Sequence, residues 1–223
     1  MKLNYRPEID GLRAIAVLSV VFYHAKFSFM GENLISGGFL GVDIFFVISG
    51  YLITSILHLN FKENKFSFKE FFLRRFLRIV PVYIFVILLT LVIGYFVLIP
   101  NQLVDLSKSS ISSTFFYSNI FFWKHLNNYY NPDAILNPLL HTWSLAIEIQ
   151  FYIFFTIFFF VLKKYFNNLK IILFLSGFAS LIIAIIFSFY EPRINFFGFQ
   201  SRFWEFILGS FIFFYKDKIK LKL

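Results

Sequence analysis

The chain has 223 residues, of which 59% are hydrophobic, 23% aromatic and only 15% charged, whereas an ordinary soluble domain carries about 25% charged residues. That much apolar surface excludes a water-soluble globule. The net charge of +9 does not point to nucleic acid, because the basic residues are concentrated between apolar blocks, where membrane topology accounts for them. Absence of cysteine excludes disulfides, thiolate metal sites and a cysteine nucleophile, leaving serine, histidine or carboxylate chemistry.

The apolar residues fall in long blocks, which predicts an all-α, polytopic transmembrane helical bundle. Candidate spans are 9–28, 38–59, 79–99, 142–162, 171–189 and 195–215, each near the ~20 residues that cross the hydrocarbon core as a helix. No internal repeat, low-complexity linker or Pro/Gly-rich boundary divides the chain, so one membrane domain over 1–223 is expected. The 37 phenylalanines are read as lipid-facing and helix-packing residues.

The first span starts like a signal peptide, but Arg13 interrupts its apolar run and further spans follow, so it is expected to stay uncleaved. Arg13 and His24 are separated by a spacing that returns to within about 20° of the same helical face, about 16 Å apart along the axis. The second span opens on Asp43, in GVDIFFVISGYLIT. Between the second and third spans, segment 60–78 carries Lys62, Lys65, Lys69, Arg74, Arg75 and Arg78, which places it, and with it the N-terminus, in the cytoplasm. Residues 100–141 then lie outside. Within them, 111–123 is apolar but short and is expected to be re-entrant or interfacial, giving six to seven membrane segments in all.

The fourth span begins HTWSLAIEIQFY, where His141, Ser144 and Glu148 share one helical face. Lys163, Lys164 and Lys170 in the next loop, and Lys216, Lys218, Lys220 and Lys222 in the tail, are cytoplasmic by the same rule. The last span carries Arg202 and Glu205, three apart, in SRFWEFILG.

A charge in the middle of a membrane helix costs about 2.5–3.5 kcal/mol on insertion scales, so each one needs a partner or a function. The topology puts His24, Asp43, His141, Glu148, Arg202 and Glu205 together in the outer half of the membrane. Such a layer offers general bases, acids and an electrostatic clamp. The bland alternative is a structural ion-pair network. Metal binding is disfavoured, because the two histidines lie on different spans and no close His/Glu cluster occurs within a helix. On the inner side, Arg74, Arg75 and Arg78 present guanidinium forks suited to a phosphate-bearing ligand, although charge alone favours topology signalling or anionic-lipid contact. A transporter or channel subunit also lines its path with intramembrane charge, but it predicts inverted repeats with interrupted helices.

Five ordered blocks, YRPEIDGLRAIAVLSVVFYH, GGFLGVDIFFVISGYLIT, FFLRRFLRIVP, PLLHTWSLAIEIQFY and SRFWEFILG, resemble the membrane acyltransferase-3 family, especially its O-antigen and peptidoglycan O-acetyltransferase branch. The resemblance runs from Tyr5 to about Gly209. It implies an O-acyltransferase of the bacterial inner membrane that moves an acetyl or other acyl group from cytoplasmic acetyl-CoA to a hydroxyl of an extracytoplasmic glycan, such as lipopolysaccharide O-antigen or peptidoglycan. No tightly bound cofactor is implied. Arg13 and His24 match the family's paired arginine and histidine, and Arg74, Arg75 and Arg78 its CoA-binding arginine motif. Glu148 and the Arg202/Glu205 pair also match motif positions. His24 would act as base or transient acyl acceptor, with Glu148 or Asp43 orienting its imidazole. His141 and Arg13 are further catalytic candidates, and Ser144, Arg202 and Glu205 are in support. The family usually carries a second glutamate after the first in the fourth block, where Ile149 stands here. Family members resemble a roughly ten-helix domain, often followed by an extracytoplasmic esterase-like domain. This chain is therefore expected to be an N-terminal portion, completed by a separate C-terminal half or a relay domain, or else an inactive remnant.

Overall fold

The structure, a computed structural model, describes residues 6–25, 28–29, 32–33, 37–126 and 137–215. Tyr5 and the tail lysines Lys216, Lys218, Lys220 and Lys222 lie outside the described residues. The helices are α1 (Pro7–His24), α2 (Gly41–Lys62, led in by a 3-10 turn, Gly38–Leu40), α3 (Phe68–Val97), α4 (Pro100–Thr114), α5 (Ser118–His125), α6 (Thr142–Tyr165), α7 (Leu169–Tyr190), α8 (Pro192–Phe197) and α9 (Phe199–Tyr215). A two-residue antiparallel ladder pairs Ser28 with Asn33 and Phe29 with Glu32. The architecture is all-helical, as expected.

Among the described residues, four helices are long and apolar enough to cross a membrane: Gly38–Lys62, Phe68–Val97, Thr142–Tyr165 and Leu169–Tyr190. The first and last of the expected spans do not reach that standard, for different reasons. Helix α1 carries Glu8, Asp10 and Arg13 within its 18 residues. The expected 195–215 span is divided by Gly198, where the chain turns extended between α8 and α9, and α9 has 17 residues. The apolar stretch 111–123 is likewise divided, between the end of α4 and the eight-residue α5. The arginines expected in a loop at 60–78 instead occupy the first turns of the 30-residue α3, and the connection itself is only 63–67.

Local chemistry explains these boundaries. Helix α2 ends in two crossed bonds, Lys65 N–H to the Asn60 carbonyl (2.9 Å) and Asn64 N–H to the Phe61 carbonyl (3.3 Å). Asn64 takes the left-handed conformation, φ 52°, that this termination requires and that Asn tolerates. Ser67 then caps α3 by accepting from Glu70 N–H at 3.4 Å, the serine-to-glutamate spacing of a helix start. Helix α4 ends the same way as α2, with Phe116 at φ 55°. Its carbonyl accepts from Gln150 Nε2 at 3.1 Å, and Gln150 and Asn119 exchange side-chain hydrogen bonds of 2.8 and 3.4 Å, which fastens α5 to α6.

Half of the apolar window of α2 and 44% of that of α6 are buried, against 11% in α3 and 17% in α7. The two helices that carry internal polar residues are therefore central. Helix α9 packs along α2 so closely that a Cβ on Gly50 would strike the Phe206 backbone and one on Gly209 the Val47 carbonyl. Thr54 and Ser210 hydroxyls bond across the same seam at 2.7 Å. Small residues let membrane helices approach where no hydrophobic effect drives them together. Gly209→Val is expected to destabilise the bundle by roughly 1–3 kcal/mol or more, visible as a lowered melting temperature of the detergent-solubilised protein, whereas an unchanged melt would contradict this packing.

Candidate active site

The end of α1, the start of α2, the start of α6 and the α8–α9 junction meet around a cavity of about 180 Å³. His24, Asp43 and Arg202 supply its polar lining, and Tyr23, Phe39, Trp143 and Phe196 wall it with rings. Arg202 organises the site. One nitrogen, Nη1, donates to Asp43 Oδ1 and to Glu205 Oε1, both at 3.0 Å, while Nε donates to the Phe196 carbonyl at 3.2 Å. The guanidinium also lies 5.3 Å from the centre of the Phe196 ring and 5.8 Å from that of Trp143. Glu205 is 1% exposed, so its charge depends on this pairing.

His24 places Nδ1 2.8 Å from the Val20 carbonyl of its own helix. A carbonyl only accepts, so in the neutral ring the proton sits on Nδ1 and the lone pair on Nε2, the atom able to take a proton or attack a carbonyl. His141, immediately before α6, lies within electrostatic reach of His24, and Ser144 donates to the His141 carbonyl at 3.1 Å. Of the expected layer, His24, Asp43, His141, Arg202 and Glu205 thus come together.

Glu148 does not line this cavity. It lies two helical turns along α6 from His141, about 10 Å deeper, where its Oε1 accepts from the Ser49 and Tyr152 hydroxyls. Arg75 reaches into the bundle toward it from α3, 5.8 Å from the centre of the Tyr152 ring, and its charge faces Glu148, Arg78 and Arg13. Arg13 pairs with Asp10 at 3.6 Å. Arg74 pairs with Glu70 at 3.2 Å and is exposed, as is Arg78. The arginine motif therefore divides: Arg75 turns inward while Arg74 and Arg78 face outward. Arg6 adds a further cation at this end, donating to the Tyr51 hydroxyl at 2.6 Å.

The sequence reading missed Ser49, Tyr152 and Arg6. For Tyr152 a signal existed, since Glu148 and Tyr152 are four apart and therefore neighbours on one helical face. Tyr152→Phe removes a donor from a half-buried carboxylate and is expected to cost about 1 kcal/mol. Chemical unfolding that left the stability unchanged would show that Glu148 does not need this bond.

The site and the arginines lie at opposite ends of the molecule, because α1 runs from Arg6 and Arg13 to His24 and α3 starts at the arginines and runs away from them. A family profile described as an acyltransferase domain matches residues 6–223. The chain belongs to the membrane acyltransferase-3 family. It is similar to a peptidoglycan O-acetyltransferase, OatA, of Listeria monocytogenes, 42% identical over 171 residues that cover 76% of this chain and 26% of that protein. It is also similar to an O-acetyltransferase, OatA, of Staphylococcus aureus, 38% identical over 227 residues covering 98% of this chain and 36% of that protein. A putative O-acetyltransferase of a further Staphylococcus aureus strain is 42% identical over 159 residues, 70% of this chain and 25% of that protein. The chain thus spans about a third or less of the length of these acyltransferase-3 relatives. No solved structure matches it.

Proposed function

We propose that this chain is the N-terminal membrane portion of an O-acetyltransferase that moves an acetyl group from cytoplasmic acetyl-CoA to hydroxyls of a cell-wall polysaccharide outside the membrane. The observation that carries the proposal is the separation of two unlike sites on one bundle. At one end stands an imidazole with its basic nitrogen in an aromatic cavity beside an arginine–carboxylate clamp. At the other stand arginines suited to phosphate. Family membership and the relatives' names favour acetyl as the group and peptidoglycan as the acceptor, ahead of lipopolysaccharide.

In this reading the chain crosses the bacterial inner membrane six times, α1 and α9 included, with a cytoplasmic N-terminus. Arg74 and Arg78 meet the CoA phosphates at the membrane surface, and Arg75 guides the pantetheine arm inward past Glu148 and Arg13. The thioester carbonyl comes within reach of His24. As base, Nε2 accepts the proton of the attacking hydroxyl, the new ester bond forms as the C–S bond breaks, and the departing thiolate takes the proton back. Arg202, held by Asp43 and Glu205, supplies positive charge for the developing oxyanion, and His141 completes the polar rim. The acceptor is a glycan hydroxyl, or a relay domain that passes the acetyl group on.

The reading is tested by the ester-linked acetate of purified cell-wall glycan from cells with and without the gene. A fall on deletion that is restored by the gene supports it. An unchanged ester content overturns it.

A further inference from the structure

A second cavity, about 350 Å³, lies at the same end of the bundle as His24 and is not part of the site described above. It falls in the size range of small-molecule pockets, about 300–1,000 Å³. Gln102 and Asp105, three apart and so on one face of α4, stand on one side, with His125 of α5 and Asn137 ahead of α6 completing its polar lining. Phe121 and Phe122 supply rings.

Among the described residues, Gln102 and Asp105 have no side-chain hydrogen bond or ion pair. The Asn137 side-chain oxygen accepts from Leu139 N–H at 3.1 Å, which leaves its amide nitrogen as the donor on offer. His125 gives Nδ1 to the Phe121 carbonyl at 2.8 Å and stacks on that ring, with centroids 4.2 Å apart, so Nε2 is its remaining polar atom. The wall therefore carries acceptors and donors in mixture beside apolar rings, the lining that suits a ring bearing hydroxyl and amide groups on its edge and C–H bonds on its face. The single carboxylate disfavours an anionic ligand by like-charge repulsion. No group of three or more His, Asp and Glu able to hold a metal occurs among the described residues.

An aromatic partition separates this cavity from the first. Phe122 lines the second cavity and meets Phe197, with centroids 6.4 Å apart; Phe197 meets Trp143 at 5.7 Å, and Trp143 lines the His24 cavity. We propose that the α4–α5 cavity is a binding subsite for a neutral N-acetylhexosamine unit of the acceptor glycan, holding the chain beside the His24 cavity. This assignment of the ligand rests on the acyl-transfer reading above, but the binding it asserts is measurable without any transfer.

The test is calorimetric titration of the whole chain, in lipid nanodiscs, with chitotriose as the neutral probe and an oligogalacturonate as the acidic one. Chitotriose is expected to bind, the acidic probe to bind at least about tenfold more weakly, and Asp105→Asn to narrow that difference, a change in selectivity that a merely structural residue would not produce. Gln102→Ala with Asp105→Ala is expected to weaken chitotriose binding by about tenfold or more. The proposal is overturned if the wild-type chain does not bind chitotriose, or if both α4 variants bind both probes as the wild type does. Acetyl-CoA consumption on the same nanodiscs separates the two claims. Consumption without chitotriose binding removes the subsite and keeps the transferase, and binding without consumption does the reverse.

Discussion

Arg202→Met is expected to destabilise the protein by about 3–5 kcal/mol, the cost of breaking a buried ion pair from one side. The arginine pairs with both Asp43 and Glu205, each at 3.0 Å. Glu205 is almost wholly enclosed, and its second oxygen, Oε2, has no hydrogen-bond partner among the described residues. Removing the guanidinium leaves two carboxylates facing one low-dielectric site with nothing to offset their charge or their mutual repulsion. It also removes the Nε bond to the Phe196 carbonyl and the ring contacts that hold the α8–α9 junction over the cavity. Chemical unfolding in detergent reads the loss directly. Adding Glu205→Gln to Arg202→Met should recover part of it, because a neutral amide does not need the counter-charge. If the single variant is as stable as the wild type, Arg202 is not the keystone of this layer.

His24→Ala is expected to lower acyl transfer by about 10²–10⁴-fold, the range for loss of a positioned general base, and by more if the imidazole carries the acyl group itself. His24 is exposed at the end of α1, so a loss of activity far larger than any loss of stability is the expected combination. That combination distinguishes it from Arg202, whose loss lowers stability and activity together. Glutamine at position 24 keeps a hydrogen-bonding group of similar reach but offers no basic nitrogen, so it should fail as alanine does. Full activity in either variant, measured per folded molecule, would remove His24 from the chemistry.

Much of this arrangement was legible in the sequence, and the exceptions have physical causes. Helical spacing placed Arg13 and His24 on one stripe and Arg202 beside Glu205, because those are properties of a single helix. Counting crossings against lysine and arginine loops brought Asp43, His24 and Arg202 to one end, where they line one cavity. Glu148 keeps to its expected face of α6 but meets Ser49 and Tyr152 instead of the cavity, because a periodicity argument fixes the face of a helix and not which partner on another helix waits there. Tyr152 was hidden among the many aromatics of α6, most of which pack in the core. The break at Gly198 was invisible to an apolar-block reading, since a single glycine flanked by Phe196, Phe197 and Phe199 does not interrupt an apolar run. The arginines of α3 were assigned to a loop because charge marks the membrane boundary, whereas the helix continues through that boundary into the polar region.

The most direct test of the central claim uses inside-out membrane vesicles that expose the arginine end and enclose a hydroxyl-bearing glycan. Acetyl-CoA labelled in the acetyl group is added outside, and ester-linked label is counted on the enclosed glycan after washing. The proposed mechanism predicts label on the glycan with the wild-type protein and none above background with His24→Ala. Equal labelling by the two proteins, or its absence with both, would contradict the account.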